Sequence, residues 1–211
     1  MNKKKRSGTN ITEAKIVEAA VQLFSRQGFK ATSTRDIADL AQVNEVTLFR
    51  YFPQKSKLFS AAAESRLGRV RMSRELQQKL ATDAAISETV PMLTEFFLGN
   101  FCDPPDLARL LYVASFEVLG ANRLIREHLG PHFDAIRAYF ERCAAKGHIR
   151  NVDSALATVS LAGMASAHQN YLWLFAENDK EWNATEVASS YSEFLLRALR
   201  CTPTETTSTD S

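Results

Sequence analysis

Side chains that can bind a polyanion are concentrated between residues 31 and 59. Arg35 carries a guanidinium that could hydrogen-bond to a guanine edge or to a phosphate. Thr47 and Tyr51 carry hydroxyls suited to phosphate oxygens, and Lys55 stands where the exposed N–H groups of a new helix also attract anions. These residue types indicate contact with a nucleic-acid backbone, provided that the chain places them on one surface.

Two short helices joined by a tight turn would position these side chains. Ser33 can cap the first helix, and the Asp36 carboxylate can accept the Ser33 backbone N–H in return, which is the spacing of a capping box. Residues 41–43 are too few for anything but a turn, and Asn44 can cap a second helix. Such a pair forms a helix-turn-helix, whose second helix can enter a DNA major groove.

The rest of the sequence has helical periodicity, without strand alternation or internal repeats. Apolar residues recur at helical spacing from Thr12 to Gln27, and Gly28 should end this first helix. Pro53 separates the helix-turn-helix from a long helix that we expect from Lys55 to Leu80 as an exposed connector. Glycine, proline and capping residues delimit further helices at about 84–101, 107–119, up to 129, 131–147, 153–176 and 183–200.

Charge is distributed unevenly along the chain. The length of 211 residues suits a small N-terminal domain attached to a larger one. Residues 1–58 contain eleven Lys or Arg and five Asp or Glu, so this quarter is strongly basic although the whole chain carries only +2. A basic N-terminal part is typical of a polyanion-binding unit. Residues 3–6 supply four of these cations and could equally be a solvated tail.

Several classes of protein lack support in the sequence. No apolar run approaches the roughly 20 residues that cross a bilayer, and no apolar segment follows the basic N-terminus, so neither a membrane protein nor a secretory signal is predicted. Cys102, Cys143 and Cys201 are odd in number and widely spaced, which favours a reducing cytoplasm. No glycine-rich phosphate loop, HExxH or GxSxG motif is present, so we expect neither an enzyme nor a cofactor.

A metal site is not expected either. His128 and His132 are four residues apart, a spacing that suits two ligands on one helix face. We expect Gly130-Pro131 to break that helix and so to separate the pair. The remaining candidates for a metal sensor, Cys143 and His148, show no ligand spacing.

The spacing of residues across 12–59 matches a known pattern. Its elements are AAVQLF in the first helix, Gly28-Phe29, Ala31-Thr32-Ser33, Arg35-Asp36-Ile37-Ala38, Ala41, Val43, Thr47-Leu48-Phe49, Tyr51-Phe52, Lys55 and Leu58. In this combination the segment resembles the N-terminal DNA-binding domain of the TetR family of bacterial transcriptional regulators.

The resemblance implies an all-α fold, with an N-terminal three-helix helix-turn-helix DNA-binding domain and a C-terminal helical ligand-binding and dimerisation bundle. We therefore expect a basic disordered arm over 1–11, the DNA-binding domain over 12–58, the effector-binding and dimerisation domain over 59–200 and a disordered tail over 201–211. The family's base-reading and phosphate-contacting positions fall on Arg35, Glu45, Val46, Thr47, Phe49, Tyr51 and Lys55. Arg50 adds a cation to this set, although its side chain could point away from DNA.

Four positions of the motif have alternatives or depart from the family. Phe49 could lie against a thymine methyl or belong to the domain core, and tyrosine is usual there. Arg35 could pair with a neighbouring aspartate on the surface. Glu45 would need a cytosine amino group as its partner or would stay solvated. Gln42 replaces a usual turn glycine, which costs about 1–2 kcal/mol if that position is left-handed.

Aromatic residues in the C-terminal part suggest an effector pocket, which the family forms between its middle helices. An aromatic lining suits an apolar or planar small molecule. Most of these side chains would equally serve as core, and His168 could be a hydrogen-bonded core or interface residue. The residues that we assign to effector binding are Phe97, Phe101, Tyr112, Phe116, His168 and Tyr171.

The last two helices resemble the dimerisation pair of the family. Residues 154–167 are rich in small side chains, which let helices approach closely in a subunit interface or in a monomer core. Residues 194–199 would supply the facing apolar stripe of a four-helix interface. We expect a dimeric cytoplasmic repressor that binds a double-stranded palindromic operator and is released by an effector. The alternative is a helical dimeric protein-interaction module whose DNA-binding head has lost specific recognition.

Overall fold

A computed structural model describes residues 3–102, 106–118, 120–150, 152–175 and 183–200. These residues form ten helices and, within the described ranges, no strand. The helices are α1 (Lys3–Ala31), α2 (Thr34–Leu40), α3 (Glu45–Tyr51), α4 (Lys55–Leu67), α5 (Arg74–Ala81), α6 (Ile86–Phe101), α7 (Asp106–Glu117), α8 (Ala121–Ala145), α9 (Ser154–Phe175) and α10 (Ala184–Leu199). The all-helical prediction is confirmed.

The chain divides into two compact units. Unit 1 comprises residues 1–71 and 100–131, and unit 2 comprises residues 72–99 and 132–211. Unit 1 therefore combines the helix-turn-helix region with α7, which begins 55 residues after the end of α3. The predicted boundaries at residues 12, 58 and 200 stay predictions.

The core of unit 1 is built from α1, α2, α3, α4 and α7. The ring centroids of Phe24 on α1 and Phe59 on α4 lie 5.2 Å apart in an edge-to-face arrangement. Phe29 adds a third ring, 5.7 Å from Phe24 and 5.6 Å from Phe59. Aliphatic side chains from all five helices are buried in the same cluster, namely Ile16, Ile37, Leu48, Leu58 and Leu110. This shared core orients α2 and α3.

The turn between α2 and α3 forms as its capping residues predict. The Ser33 hydroxyl accepts the Asp36 backbone N–H at 3.0 Å, and the Asp36 carboxylate accepts the Ser33 N–H. The Asn44 side chain accepts the Thr47 N–H at 2.7 Å. Gln42 has a φ of 57° and lies in the left-handed region, so the turn keeps its geometry without a glycine.

A buried guanidinium links three helices of unit 1. Arg66 on α4 is 6% exposed and donates to the carboxylates of Glu18 on α1 and Asp106 on α7, each at 2.7 Å. Burial opposes the charge of the Arg66 guanidinium, but the hydrogen bonds that it donates to these carboxylates keep its pKa above the usual value. A charge at this depth is stable only while its partners remain in place.

Unit 2 has a separate core. Its largest buried side chains include Leu93, Phe97, Ile136, Tyr139 and Phe140. The Tyr139 hydroxyl donates to the Ala84 carbonyl at 2.7 Å, and burial raises its pKa. The Arg142 guanidinium donates to the Leu80 carbonyl, so α8 and the end of α5 are joined by polar contacts as well as by packing.

The predicted connector helix is interrupted, so that prediction is wrong. Helix α4 ends at Leu67, where the Gly68 N–H donates to the Glu64 carbonyl at 2.8 Å. A new helix begins after Ser73, whose hydroxyl accepts the Leu76 N–H at 3.1 Å. The non-helical segment between them buries Val70 and Met72, which compensates for the lost helical hydrogen bonds.

The predicted break at Gly130-Pro131 is also wrong, because α8 is continuous from Ala121 to Ala145. Proline inside a helix removes one backbone hydrogen bond, and apolar residues buried on both sides of it, among them Leu129 and Ile136, offset this cost. The start of α1 at Lys3 also precedes the predicted start at Thr12. Lysine and arginine are good helix formers and allow this extension.

The other predicted helices agree with the structure within about two residues, the usual uncertainty of helix ends. Asp153 caps α9 by accepting the N–H groups of Ala155 and Leu156, and Asn183 caps α10. Gly28 ends the regular part of α1, with a φ of 83° and a ψ of 174°. The tail over 201–211 lies outside the described residues.

Replacement of Arg66 by alanine is expected to lower the free energy of unfolding by about 3 kcal/mol, because Asp106 and Glu18 lose their buried partner. Arg123→Ala is the matched control, since that arginine forms an exposed pair with Glu127, and its loss should cost less than about 0.5 kcal/mol. Urea unfolding followed by circular dichroism measures both. Equal effects of the two substitutions would contradict the structural role of Arg66.

Replacement of Gln42 by glycine should raise the free energy of unfolding by about 1 kcal/mol, because glycine adopts a φ of 57° without the steric clash of a Cβ. Gln42→Ala retains the Cβ and is therefore not expected to raise the free energy of unfolding. Thermal unfolding compares the two variants with the native chain. A glycine variant that melts no higher than the alanine variant would disprove strain at this turn.

Candidate DNA-binding site

Helix α3 presents one face to the core and the other to solvent. Leu48 is fully buried, whereas Val46 is 80% exposed and Phe49 43% exposed. Arg50 is exposed as well, and Thr47 is half-buried. On a helix of seven residues this division leaves most side chains available for a ligand. The core interpretation of Phe49 therefore does not fit the structure, whereas Phe52, just after this helix, is buried.

Glu45 has a structural partner within the motif. Its Oε1 accepts a hydrogen bond from the Thr34 hydroxyl at 2.9 Å, which joins the first turns of α2 and α3. This contact gives the Glu45 carboxylate a hydrogen-bond partner within the protein. Thr34 was not singled out in the sequence, because a threonine at the start of a helix has no distinctive partner there.

Arg35 lies exposed on the first turn of α2. The Asp36 carboxylate is engaged with the Ser33 N–H, and no ion pair joins Arg35 to Asp36 or Asp39 in the described part of the chain. The surface ion pair considered from the sequence is therefore not formed. The guanidinium remains available for a phosphate or base.

Two cation–aromatic contacts mark the end of α3 and the start of α4. The Arg50 guanidinium carbon lies 5.4 Å from the centroid of the Tyr51 ring, and the Lys55 ammonium lies 4.5 Å from that of Phe29. Lys55 Nζ also lies 3.5 Å from the Lys30 carbonyl oxygen. Burial lowers the pKa of Lys55, while the charge of Glu117 acts in the opposite direction.

The N-terminus of α4 offers backbone donors beside Lys55. Gln54 occupies the capping position, and its side chain makes no capping hydrogen bond. The N–H groups of the first turn of a helix carry partial positive charge and attract anions. Lys55 is the first residue of this helix, so its ammonium and these backbone donors belong to the same turn.

The structure distributes the predicted effector residues between the two units. Phe101, Tyr112 and Phe116 belong to unit 1, where Phe101 is buried and Phe116 is 80% exposed. Phe97, His168 and Tyr171 belong to unit 2. The effector assignment of all six residues stays a prediction.

His168 is nearly buried in unit 2, at 8% exposure, and its Nδ1 lies 3.2 Å from the Tyr191 hydroxyl. Burial lowers its pKa, which favours the neutral ring. The hydrogen-bonded interpretation considered from the sequence fits this contact.

Unit 2 contains a cavity between α9 and α10 of about 190 Å³. Ligand pockets usually measure about 300–1,000 Å³, so this space is small for an effector. None of the six predicted effector residues lines it. Its wall consists mainly of aliphatic side chains with two charged residues, namely Val90, Phe140, Arg150, Val152, Asp153, Leu156, Ala157, Ser160, Leu161, Leu195, Ala198 and Leu199.

The histidines of α8 lie in one continuous helix but contact different groups. His128 Nδ1 lies 3.1 Å from the Leu124 carbonyl oxygen, and the His132 ring meets Phe96 edge-on at 5.7 Å. Among the described residues, no group of three or more His, Cys, Asp or Glu side chains could hold a metal ion. No helix in that same part of the chain is long and apolar enough to cross a membrane.

Comparison with known proteins places the helix-turn-helix in a family. The sequence model described as "Bacterial regulatory proteins, tetR family" matches residues 16–62. The uncharacterized HTH-type transcriptional regulator YvkB of Bacillus subtilis (strain 168) is 44% identical over 50 residues, which are 24% of this chain and 26% of that protein. The match thus spans about a quarter of the length of this curated relative.

Solved structures resemble most of the chain. The TetR family transcriptional regulator PfmR from Thermus thermophilus is 26% identical with a TM-score of 0.67, and the match covers 86% of this chain and 97% of that chain. AibR, solved in complex with isovaleryl coenzyme A and operator DNA, is 16% identical with a TM-score of 0.68 and coverages of 87% and 97%. The likeness to AibR concerns the fold alone.

The sequence match and the fold agree with the local geometry. The matched residues 16–62 contain the capped turn and the exposed face of α3. YvkB and PfmR are both transcriptional regulators, a class that performs no enzymatic reaction. The helix-turn-helix segment of this chain therefore belongs to the TetR family of bacterial regulatory proteins, and most of the chain has the fold of a regulator of that family.

Proposed function

We propose that this protein is a cytoplasmic transcriptional repressor that binds a palindromic DNA operator as a homodimer and is released by a small-molecule effector. The observation that carries the proposal is the exposed face of α3, flanked by cations at the start of α4. Its length and exposure suit insertion into a major groove.

The proposed contacts divide into two kinds. Val46 and Phe49 offer apolar surface to base edges, where a thymine methyl is a suitable partner. Arg35, Thr47, Arg50, Tyr51 and Lys55 offer cations and hydroxyls to phosphates, and Arg35 also reaches for a guanine edge. We assign Glu45 an indirect role, in which its bond to Thr34 keeps α3 at a fixed angle to α2.

Large apolar side chains exposed on α9 and α10 support the homodimer. Isolated exposed apolar residues are ordinary, but several on two neighbouring helices favour a subunit interface. A second copy would cover them in a four-helix arrangement and would place two α3 helices about one helical turn of DNA or more apart. The residues concerned are Leu156, Val159, Tyr171, Trp173, Leu174, Phe175 and Phe194.

The effector is proposed to be apolar or aromatic in part, with acyl-CoA thioesters as the first class to test. The support is the fold shared with AibR, whose structure contains isovaleryl coenzyme A. An effector can shift the equilibrium between two subunit arrangements only by its difference in affinity for them. The arrangement that binds the effector better would be the one whose α3 helices no longer match the operator.

Binding of the protein to the DNA upstream of its own gene, measured in a gel-shift assay, tests this function. A gel-shift assay with unrelated competitor DNA should show specific retention, and isovaleryl coenzyme A or a longer acyl-CoA should reduce it. Free coenzyme A at the same concentration is the control for the acyl group. The interaction-module alternative predicts no specific retention, and equal release by free coenzyme A would contradict an acyl-specific effector.

Alanine in place of Lys55 and Tyr51 should weaken binding to every DNA sequence, because both residues are assigned to phosphates. Loss of one ionic contact should lower the slope of log K against log salt by about one. Fluorescence anisotropy between about 50 and 200 mM salt measures this slope. Arg123→Ala removes an exposed cation outside the motif and should change neither value. Unchanged affinity and slope in the double variant would refute the phosphate assignment.

A further inference from the structure

A polar cluster in unit 1 joins the end of α7 to the start of α4. Glu117 is the last residue of α7, and its Oε2 accepts the Lys30 backbone N–H at 2.8 Å. The carbonyl of the same residue, Lys30, lies 3.5 Å from Lys55 Nζ. Lys30 is thus held through its N–H by a carboxylate and through its C=O by an ammonium.

Glycine at position 28 makes room for this carboxylate. A Cβ at Gly28 would lie 2.8 Å from Glu117 Oε1, which is closer than nonbonded atoms approach. The φ of 83° and ψ of 174° at Gly28 also belong to a region that is essentially restricted to glycine. The break in α1 therefore creates a corner, residues 28–30, with a space that the Glu117 carboxylate fills.

The same corner determines where the Lys55 ammonium lies. Phe29, at its centre, packs edge-on against Phe59 and presents its ring to Lys55 Nζ at 4.5 Å from the centroid. The negative charge of Glu117 also stabilises the Lys55 ammonium. The position of the ammonium thus depends on the Phe29 ring and on the Lys30 carbonyl, both of which belong to the corner.

We propose that Glu117 is a positioning residue for the DNA contact of Lys55. By accepting the Lys30 N–H it fixes the 28–30 corner, and the corner holds the Lys55 ammonium beside the N-terminus of α4, ready for a phosphate. The inference rests on the proposed function, because it assigns Lys55 to DNA. The hydrogen bond from the Lys30 N–H to Glu117 performs the positioning. The negative charge of Glu117 by itself would compete with the phosphate for the Lys55 ammonium.

Three substitutions of Glu117 distinguish the effect of its hydrogen bond to the Lys30 N–H from the effect of its negative charge. Glu117→Gln keeps an oxygen that accepts the Lys30 N–H, so operator affinity should stay within about twofold of the native value. Glu117→Ala removes the acceptor and should weaken binding about fivefold, the effect of one ordinary hydrogen bond. Glu117→Asp keeps the charge but is too short to reach, so it should resemble the alanine variant. Glu127→Ala is the matched control, because it removes the same charge from an exposed pair.

A double-mutant cycle with Lys55→Ala tests whether Glu117 acts through Lys55. In the Lys55→Ala background, Glu117→Ala should cause no further loss of operator affinity. A purely structural role would give the same loss in both backgrounds. Equal losses would therefore overturn the proposal, as would a glutamine variant that binds as weakly as the alanine variant.

Nuclear magnetic resonance of the full chain without DNA gives an independent measurement. The Lys55 side-chain protons should carry a ring-current shift from Phe29 that is lost in Glu117→Asp and kept in Glu117→Gln. An unchanged shift in the aspartate variant would overturn the positioning role even if the native protein binds its operator. Absence of specific DNA retention by the native chain would instead overturn the proposed function, and with it the phosphate assignment of Lys55.

Discussion

The contact among three phenylalanine rings is the interaction on which the geometry of unit 1 depends. Phe24 comes from α1, Phe29 from the corner after its break and Phe59 from α4, and neighbouring centroids lie 5.2–5.7 Å apart. Because the three rings lie on both sides of the helix-turn-helix in the sequence, their packing fixes the two ends of that motif. Helices as short as α2 and α3 are unstable alone in water, so their structure depends on this core.

Helix α7 completes the same core although it comes much later in the chain. Leu110 and Ala114 bury against α1 and α4, and Asp106 shares the Arg66 guanidinium with Glu18. The two ends of α7 thus make polar contacts with the N-terminal helices, at Arg66 and at Lys30. Helix α7 therefore contacts the N-terminal helices through hydrogen bonds at both of its ends as well as through packing.

The exposure of each side chain on α3 indicates whether it packs in the core or can contact a ligand. Leu48 alone anchors the middle of α3, which leaves Val46, Phe49 and Arg50 free to meet a ligand. Glu45 accepts a hydrogen bond from the Thr34 hydroxyl and so links α3 to α2. In the proposed complex, Arg50 and Lys55 would supply attraction without base preference, so sequence discrimination would fall to Val46, Phe49 and the Arg35 guanidinium. Such a surface suits recognition by shape and methyl contacts as well as by hydrogen bonds.

The sequence by itself determined the helical fold, the turn and the caps, because a capping hydrogen bond joins residues two or three positions apart and both partners are visible in one short segment. It predicted the connector helix and the break at Pro131 wrongly, because burial of Val70, Met72 and Leu129 outweighs local propensity. The contacts of Glu45 with Thr34 and of Glu117 with Lys30 join residues 11 and 87 positions apart. Only the tertiary structure could decide them, since packing of helices from distant segments brings those atoms within hydrogen-bond distance.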